Sequence, residues 1–125
     1  MSIMADFNKI QALLERGVKD GPFDVLVMAS SDGLLVASAK RSDTDENMVA
    51  ALGTLISNTI KQLRDEMRLG GIKKAIVQSD RGNVVFLDIT TADEDFVLVG
   101  IVPRGIRYFK RRINEIARDI RKALS

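Results

Sequence analysis

The chain has 125 residues with no cysteine and no histidine, and its formal net charge is +2. This length predicts one domain, residues 1–125, that buries a core without disulfides, and the missing cysteines favour a cytoplasmic protein. Without histidine and cysteine, the usual general base, the commonest nucleophile pairs and the commonest metal ligands are excluded. We therefore expect no catalytic residues, no metal and no cofactor. No apolar run approaches the roughly 18 residues of a membrane span, and "MSIMADFNKI" lacks the basic region and following apolar region of a signal peptide, so we expect neither a transmembrane segment nor export.

The first three predicted elements are a helix and a hairpin. Apolar residues at helical spacing predict a helix from about Met4 to Val18, which Gly21-Pro22 ends. Two apolar runs, Asp24 to Ser30 and Leu34 to Ala39, then flank Asp32-Gly33. This dipeptide favours a type I′ turn, so the two runs are predicted to pair as an antiparallel hairpin.

A long helix is predicted next, reaching about Leu69. Asp43 is expected to cap its N-terminus, and Glu46 three residues on completes a capping-box pattern. Gly70-Gly71 is expected to supply a left-handed C-cap and matches no phosphate-binding motif. A metal or acid-base role for Asp43, Asp45 and Glu46 is the less favoured alternative, because acidic side chains are common in a first helical turn.

The second half of the chain is predicted to form three strands and a helix. A second hairpin spans Ile72 to Ile89 around Asp80 to Asn83, and Asp95 to Val102 is apolar on both faces, as in a central strand. A last helix is predicted from about Gly105 to Ala123, with a buried stripe of Ile106, Phe109, Ile113, Ile116, Ile120 and Leu124. The predicted fold class is α+β, with a five-stranded antiparallel sheet in the order 2-1-5-4-3 between one long helix and two terminal helices.

The long helix has two distinct faces. The apolar face is expected to pack on the sheet and comprises Met48, Val49, Leu52, Leu55, Ile56, Thr59, Ile60, Leu63 and Met67. A neighbouring face carries Ala50, Thr54, Ser57 and Lys61 beside Gly53. Small side chains let a second helix approach closely, but they are equally typical of an exposed helix face, and the sequence alone does not separate these interpretations.

Strand three adds a second feature that favours a dimer. In the predicted order it lies at the sheet edge, where its unpaired backbone groups can pair with a second copy, although Lys73 and Lys74 oppose such pairing. One symmetric dimer would join two sheets at this strand and bring the two long helices together. The predicted dimer interface comprises Ala50, Gly53, Thr54, Ser57, Lys61, Lys73, Ala75 and Val77.

Three stretches resemble the Roadblock/dynein light chain family. They are "ASSDGLLVAS" at Ala29 to Ser38, "MVAALGTLIS" at Met48 to Ser57 and "VVFLDITTADEDFVLVGIVP" at Val84 to Pro103. The resemblance covers essentially the whole chain. It implies a homodimer or heterodimer with one continuous sheet, and partnership with small Ras-like GTPases or with motor and signalling scaffolds. In members that stimulate hydrolysis, the resemblance implies that the dimer repositions the GTPase's own catalytic residues.

The first functional hypothesis is therefore a dimeric, non-enzymatic module that binds and regulates a small Ras-like GTPase. A passive scaffold in a larger complex is its close alternative. The predicted partner-binding residues are the charged side chains Lys61, Arg64, Asp65 and Arg68 of the long helix, although a solvated charged face is the commoner explanation for any one of them.

The second hypothesis is an anion-binding surface on the last helix. Arg107, Arg111, Arg118 and Lys122 form a basic stripe, which could neutralise phosphates or meet an acidic partner protein. Nucleic acid is disfavoured, because Tyr108 is the only aromatic residue there with a chance of exposure. The third hypothesis, an enzyme, is weaker still, since turn chemistry already explains Ser30, Ser31 and Asp32.

Overall fold

The computed structural model describes residues 6–125, so the predicted helix start at Met4 lies outside the described residues. The elements in chain order are α1 (Phe7–Lys19), β1 (Val25–Ser30), β2 (Leu35–Lys40), α2 (Glu46–Met67), β3 (Ala75–Ser79), β4 (Gly82–Thr90), β5 (Asp95–Pro103) and α3 (Lys110–Leu124). This is the predicted order of helices and strands.

The strands form one antiparallel sheet in the order β2-β1-β5-β4-β3. β5 lies between β1 and β4 and is buried from Phe96 to Gly100, which explains why it is apolar on both faces. β3 lies at one edge and β2 at the other. The predicted fold class, strand order and central position of β5 are confirmed.

Side chains that alternate along the strands build a separate core on each face of the sheet. The larger core lies beneath α1 and α3, where Ile10, Leu14 and Ile113 pack on residues such as Leu26 and Leu98. The smaller core lies beneath α2 and comprises Val25, Val27, Ala29, Ala50, Phe86, Val97 and Val99. The sheet therefore presents two surfaces of different composition, one covered by two helices and one by a single helix.

The turn of the first hairpin differs from the prediction. Gly33 has a φ of 85°, but Asp32 is not among the described residues with positive φ, so a type I′ turn is wrong. Gly33 N–H donates to the Ser30 carbonyl at 3.0 Å, and Ser30 N–H donates to the Leu34 carbonyl at 2.9 Å. These bonds define a three-residue loop in which only the final residue requires the left-handed conformation.

The N-terminus of α2 begins two residues later than predicted. Asp45, not Asp43, is the N-cap, and its Oδ1 accepts two backbone N–H groups of the first turn at 3.1 and 3.2 Å. Glu46 completes no capping box. Its carboxylate accepts a hydrogen bond from Ser38 Oγ at 2.7 Å and pairs with Lys40 Nζ at 2.7 Å, so it ties the start of α2 to β2.

Two other helix ends also differ from the prediction. The left-handed C-cap of α2 is Arg68, with a φ of 53°, whereas Gly70-Gly71 lies beyond it. The last helix begins at Lys110 rather than Gly105, so Ile106 lies outside it and is 38% exposed instead of buried. Residues 104–109 therefore form an irregular segment between β5 and α3, and its side chains do not follow a helical face.

Candidate interaction surfaces

The face of α2 with small residues packs on the chain's own sheet. Ala50, Gly53, Thr54 and Ser57 are its buried residues. At Gly53 the fit is tight, because a Cβ there would lie 2.6 Å from Val99 Cγ2. The prediction that these four residues form a seam between the helices of two copies is therefore wrong. Their small size serves a close approach of α2 to the sheet.

Two hydrogen bonds fix this orientation of the helix. Thr54 Oγ1 donates to the Ser30 carbonyl at 2.9 Å, and Ser57 Oγ donates to Asp88 Oδ1 at 2.6 Å. They join α2 to the end of β1 and to β4. Both hydroxyl groups are thus satisfied within the chain, as polar groups in a packed layer must be.

Most of the predicted apolar face of α2 points away from the sheet, although Val49 and Ile56 are half-buried against the smaller core. The large side chains that point outward are 47–61% exposed, and we call this row the α2 stripe: Met48, Leu52, Leu55, Leu63 and Met67. The prediction that they pack on the sheet is therefore wrong. A contiguous row of large apolar side chains on the outside of a helix is typical of a protein-protein contact surface.

Part of the sheet on the same side is left uncovered by α2. The helix lies mainly over β1 and β5 and does not extend across the β3 edge. Four apolar residues of β3, β4 and β5 are only partly buried or, for Val77, 49% exposed; we call them the open sheet face: Ala75, Val77, Val84 and Ile101. The open sheet face adjoins an edge strand whose outer backbone groups are unpaired within the described residues.

The predicted partner-binding charges lie along the second half of α2 but form no single cluster. Lys61 Nζ lies 3.9 Å from Asp95 Oδ2, and Arg64 Nε donates to Asp65 Oδ1 at 2.9 Å. The hydrogen bond to Asp65 raises the pKa of Arg64. Arg68 is the left-handed C-cap. Three of the four charges therefore have an internal partner.

Electrostatic contacts elsewhere on this side are structural. Hydrogen bonds from Lys40 and Ser38 hold the pKa of Glu46 below its ordinary value. Ser30 Oγ accepts the backbone N–H of Leu34 at 3.2 Å, which is a turn contact rather than an activated nucleophile. Among residues 6–125, no group of three or more acidic, histidine or cysteine side chains is placed to hold a metal ion.

The basic C-terminal region is arranged differently from the predicted stripe. Arg107 precedes α3, in the irregular segment, so the four residues do not share one helical face. Arg111 Nε lies 3.4 Å from Glu115 Oε1, and Arg118 Nε lies 3.8 Å from Asp119 Oδ1, while Lys122 is exposed near the end of α3.

The irregular segment holds features that the sequence interpretation missed. Tyr108 is 90% exposed, and Arg107 and Lys110 line a groove against the β3-β4 hairpin. Pro103 and Gly105 are the residues from which this segment could have been predicted, because both disfavour an early start of the helix. None of the helices in the described part of the chain is both long enough and apolar enough to cross a membrane.

No family model matches the sequence, and no curated protein is significantly similar to it. Solved structures match over almost the whole chain. MglB from Myxococcus xanthus is 18% identical and superposes with a TM-score of 0.83, over 98% of this chain and 92% of that chain. The gliding protein MglB from Thermus thermophilus is 11% identical, with a TM-score of 0.81 over 99% of this chain and 94% of that chain.

A third match carries the family name itself. A Roadblock/LC7 domain from Streptomyces avermitilis is 15% identical, with a TM-score of 0.78 over 90% of this chain and 94% of that chain. At these identities the likeness concerns the fold, and it agrees with the strand order and helix positions described above. The chain therefore has the Roadblock fold, as its resemblance to the Roadblock/dynein light chain family predicts.

Proposed function

We propose that the chain is a cytoplasmic, non-enzymatic homodimer that binds and regulates a small Ras-like GTPase. The observation that carries this proposal is the α2 stripe, whose large side chains are 47–61% exposed on the outer face of the helix. Such a surface favours a protein partner over a small-molecule substrate. The Roadblock fold supports the partner class, because the family that it resembles works with small Ras-like GTPases and with scaffolds.

The edge strand β3 is the proposed junction between two copies. β3 pairs with β4 on one side only, so its outer N–H and C=O groups are free to pair with the same strand of a second chain. A twofold axis at this edge makes the contact self-complementary. Of the predicted interface, Lys73, Ala75 and Val77 fit this arrangement. Lys73 precedes the strand and is exposed, so its charge can remain in solvent.

A second copy would also cover the open sheet face. Val84 and Ile101 lie on this face, and the neighbouring side of α2 presents Ile56 and Ile60, which are half-buried. The α2 helix of the partner can lie over these side chains and bury them, which is the apolar burial that stabilises a dimer. Lys61 does not belong to this contact, because it pairs with Asp95 at the opposite end of β5.

The outward part of the α2 stripe is the proposed GTPase contact. Met48, Leu52 and Leu55 are exposed on the outside of α2. We propose that they stay accessible when two copies join at β3. The predicted partner-binding residues remain part of the proposal as polar contacts at the rim of this apolar centre: Lys61, Arg64, Asp65 and Arg68. An apolar centre with a charged rim is the usual anatomy of a protein interface.

Regulation in this proposal acts through positioning. The chain would hold the GTPase in the arrangement in which its own residues orient the attacking water, as positioning and charge stabilisation dominate phosphoryl transfer. A passive scaffold would use the same surfaces without changing the hydrolysis rate. The two alternatives therefore differ in one measurable quantity, the rate of GTP hydrolysis with and without the chain.

The first experiment tests the dimer by sedimentation equilibrium. We expect a dimeric mass for the wild type and a monomeric mass for Val77→Lys, which places a charge on the open sheet face. Gln78→Lys is the matched control, because it adds the same charge one residue along β3 on the opposite face of the sheet, and it should stay dimeric. A monomeric wild type, or equal masses for both variants, would contradict the proposed junction.

The second experiment tests the partner. The chain is immobilised and exposed to an extract of its native source with GDP or with a non-hydrolysable GTP analogue. We expect one small GTPase to be retained in one nucleotide state by the wild type and by Arg118→Lys, and lost with Leu52→Lys. The purified GTPase then allows its hydrolysis rate to be measured with and without the chain. Recovery of salt-released nucleic acid instead would overturn the proposal.

A further inference from the structure

A groove lies on the face of the sheet opposite α2, beside the β3 edge. It runs between the β3-β4 hairpin and the irregular segment before α3, and its volume is about 540 Å³. Ile76 and Phe109 form an apolar floor, and the amide side chains of Gln78 and Asn83 lie along one wall. We call it the cationic groove, because Arg107 and Lys110 form the other wall and none of its lining residues is acidic.

The charge of this region is strongly one-sided. Residues 104–112 contain five basic side chains and no acidic one. The two arginines at the end of this run, Arg111 and Arg112, share Glu115. Arg107 and Lys110, in contrast, form no ion pair with any residue of the described range 6–125. The groove therefore carries positive charge that the described part of the chain does not neutralise.

Another lysine, Lys74, lies near Lys110 at one end of the groove. Lys74 reaches across from the start of β3 and donates to Asn114 Oδ1 on α3 at 2.8 Å. Burial lowers the pKa of Lys74, and the nearby charges of Lys110 and Lys73 lower it further. Lys74 and Lys110 are thus like charges that lie near each other in the free protein, and an anionic ligand would relieve their repulsion.

We propose that the cationic groove binds an extended acidic peptide segment of a partner protein. An extended chain fits the shape, because its side chains alternate between the apolar floor and the solvent-facing cations. Gln78 and Asn83 can both donate and accept hydrogen bonds, which suits the backbone of a peptide. The complementary charge supplies the specificity for glutamate or aspartate side chains. This inference goes beyond the proposed function, because the groove and the α2 stripe lie on opposite faces of the sheet.

A peptide explains the groove better than a single-stranded nucleic acid does. Nucleic acids bind on stacked aromatic side chains that line a basic channel. Within residues 6–125, Tyr108 is 90% exposed but does not line the groove, and Phe109, the aromatic residue of the floor, is 4% exposed and offers no face for stacking. Amide side chains and an apolar floor are surfaces that a peptide contacts.

The test is fluorescence anisotropy with the full chain. The probe is a fluorescein-labelled octapeptide of alternating glutamate and valine, and its counterpart has lysine in place of glutamate. We expect the acidic peptide to bind and the basic one not to bind. The double variant Arg107→Glu, Lys110→Glu should weaken binding about tenfold or more, which corresponds to about 1.4 kcal/mol. Gln78→Trp fills the groove without changing the charge and should also weaken binding.

The matched control is the double variant Arg118→Glu, Lys122→Glu, which makes the same charge change on the last turns of α3. It should bind the acidic peptide within about twofold of the wild type, since these exposed charges lie away from the groove. Far-UV circular dichroism and the melting temperature establish that each variant is folded. Equal losses in both double variants, no peptide binding by the folded wild type, or tighter binding of oligothymidylate than of the acidic peptide would overturn the proposal.

Discussion

Two adjacent residues, Thr54 and Leu55, test the orientation of α2, because they lie on opposite sides of the helix. Thr54 is 8% exposed and packs on the sheet, whereas Leu55 is 61% exposed in the α2 stripe. Thr54→Arg and Leu55→Arg introduce the same side chain at consecutive positions. We expect Thr54→Arg to destabilise the fold severely and Leu55→Arg to leave its stability almost unchanged.

The size of the difference follows from the contacts of Thr54. Its hydroxyl donates to the Ser30 carbonyl at 2.9 Å, and loss of this hydrogen bond costs about 0.5–1.5 kcal/mol, because the carbonyl keeps its second donor, the Gly33 N–H. A guanidinium held between helix and sheet without a partner costs about 3–5 kcal/mol more. The sum of about 3.5–6.5 kcal/mol is comparable to the whole stability of a marginal domain, since domains are typically stable by about 5–15 kcal/mol. A surface change such as Leu55→Arg stays within about 0.5 kcal/mol.

Urea unfolding followed by far-UV circular dichroism measures this contrast. With an m value of about 2 kcal/mol per molar urea, a loss of 4 kcal/mol lowers the midpoint by about 2 M. Measurements at two protein concentrations separate folding from self-association, because only the latter makes stability depend on concentration. A near-normal midpoint for Thr54→Arg together with an unfolded Leu55→Arg would refute the described orientation of α2.

Three further predictions concern individual contacts. Gly53→Ala gains about 1 kcal/mol of helix propensity but overpacks Val99 at a cost of about 1–3 kcal/mol. We therefore expect urea unfolding to show a net loss of stability, and a second substitution, Val99→Ala, to restore part of it. Asp45→Ala should cost about 1 kcal/mol through loss of the N-cap, while Asp43→Ala should leave the melting temperature unchanged. The pKa of Glu46 is lowered by folding, so its contribution to stability is present above the ordinary glutamate pKa and is lost as the pH falls through the folded value. Carbon-13 NMR titration of this carboxylate should show the lowered pKa, and Glu46→Gln should flatten the acid limb of the stability profile.

The fold was predictable because local and long-range signals agree. Two hairpin patterns fix two pairs of neighbouring strands, and a strand that is apolar on both faces must lie inside the sheet. Placing Asp95 to Val102 in the centre leaves few antiparallel orders for the remaining strands, and the observed order is one of them. The burial of both faces of one strand, β5, therefore determined much of the predicted topology.

The orientation of α2 was not predictable from periodicity. A helical period shows which residues share a face, but it does not show whether that face contacts the sheet, another protein or solvent. Size and apolarity alone predict that the apolar face packs on the core. The sheet instead accepts the small face, since Val99 leaves no room for a Cβ at position 53. A helix that must approach a sheet closely and also bind a partner can carry its large side chains outside.

The wrong prediction of the α2 N-cap also has a local cause. Asp43 and Asp45 are both good N-caps, and the choice between them depends on where the chain leaves β2. The structure settles it through Glu46, whose contacts with Ser38 and Lys40 place the first turn beside that strand. In the basic C-terminal region, the sequence did not reveal the irregular segment. A helix that begins at Gly105 would place Arg107 on a helical face, whereas the structure places it in the groove.

The side chains of β3 alternate between the two faces of the sheet, so this strand contributes to both proposed surfaces with different residues. Ala75 and Val77 point to the α2 side and belong to the open sheet face, whereas Ile76 and Gln78 point to the other side and line the cationic groove. One strand of five residues thus contributes to both surfaces. A substitution at an odd-numbered position of β3 reports on the dimer, and one at an even-numbered position reports on the groove. A monomeric Val77→Lys that still binds the acidic peptide, beside a dimeric Gln78→Trp that does not, would establish that pairing and peptide binding are independent functions of the same edge.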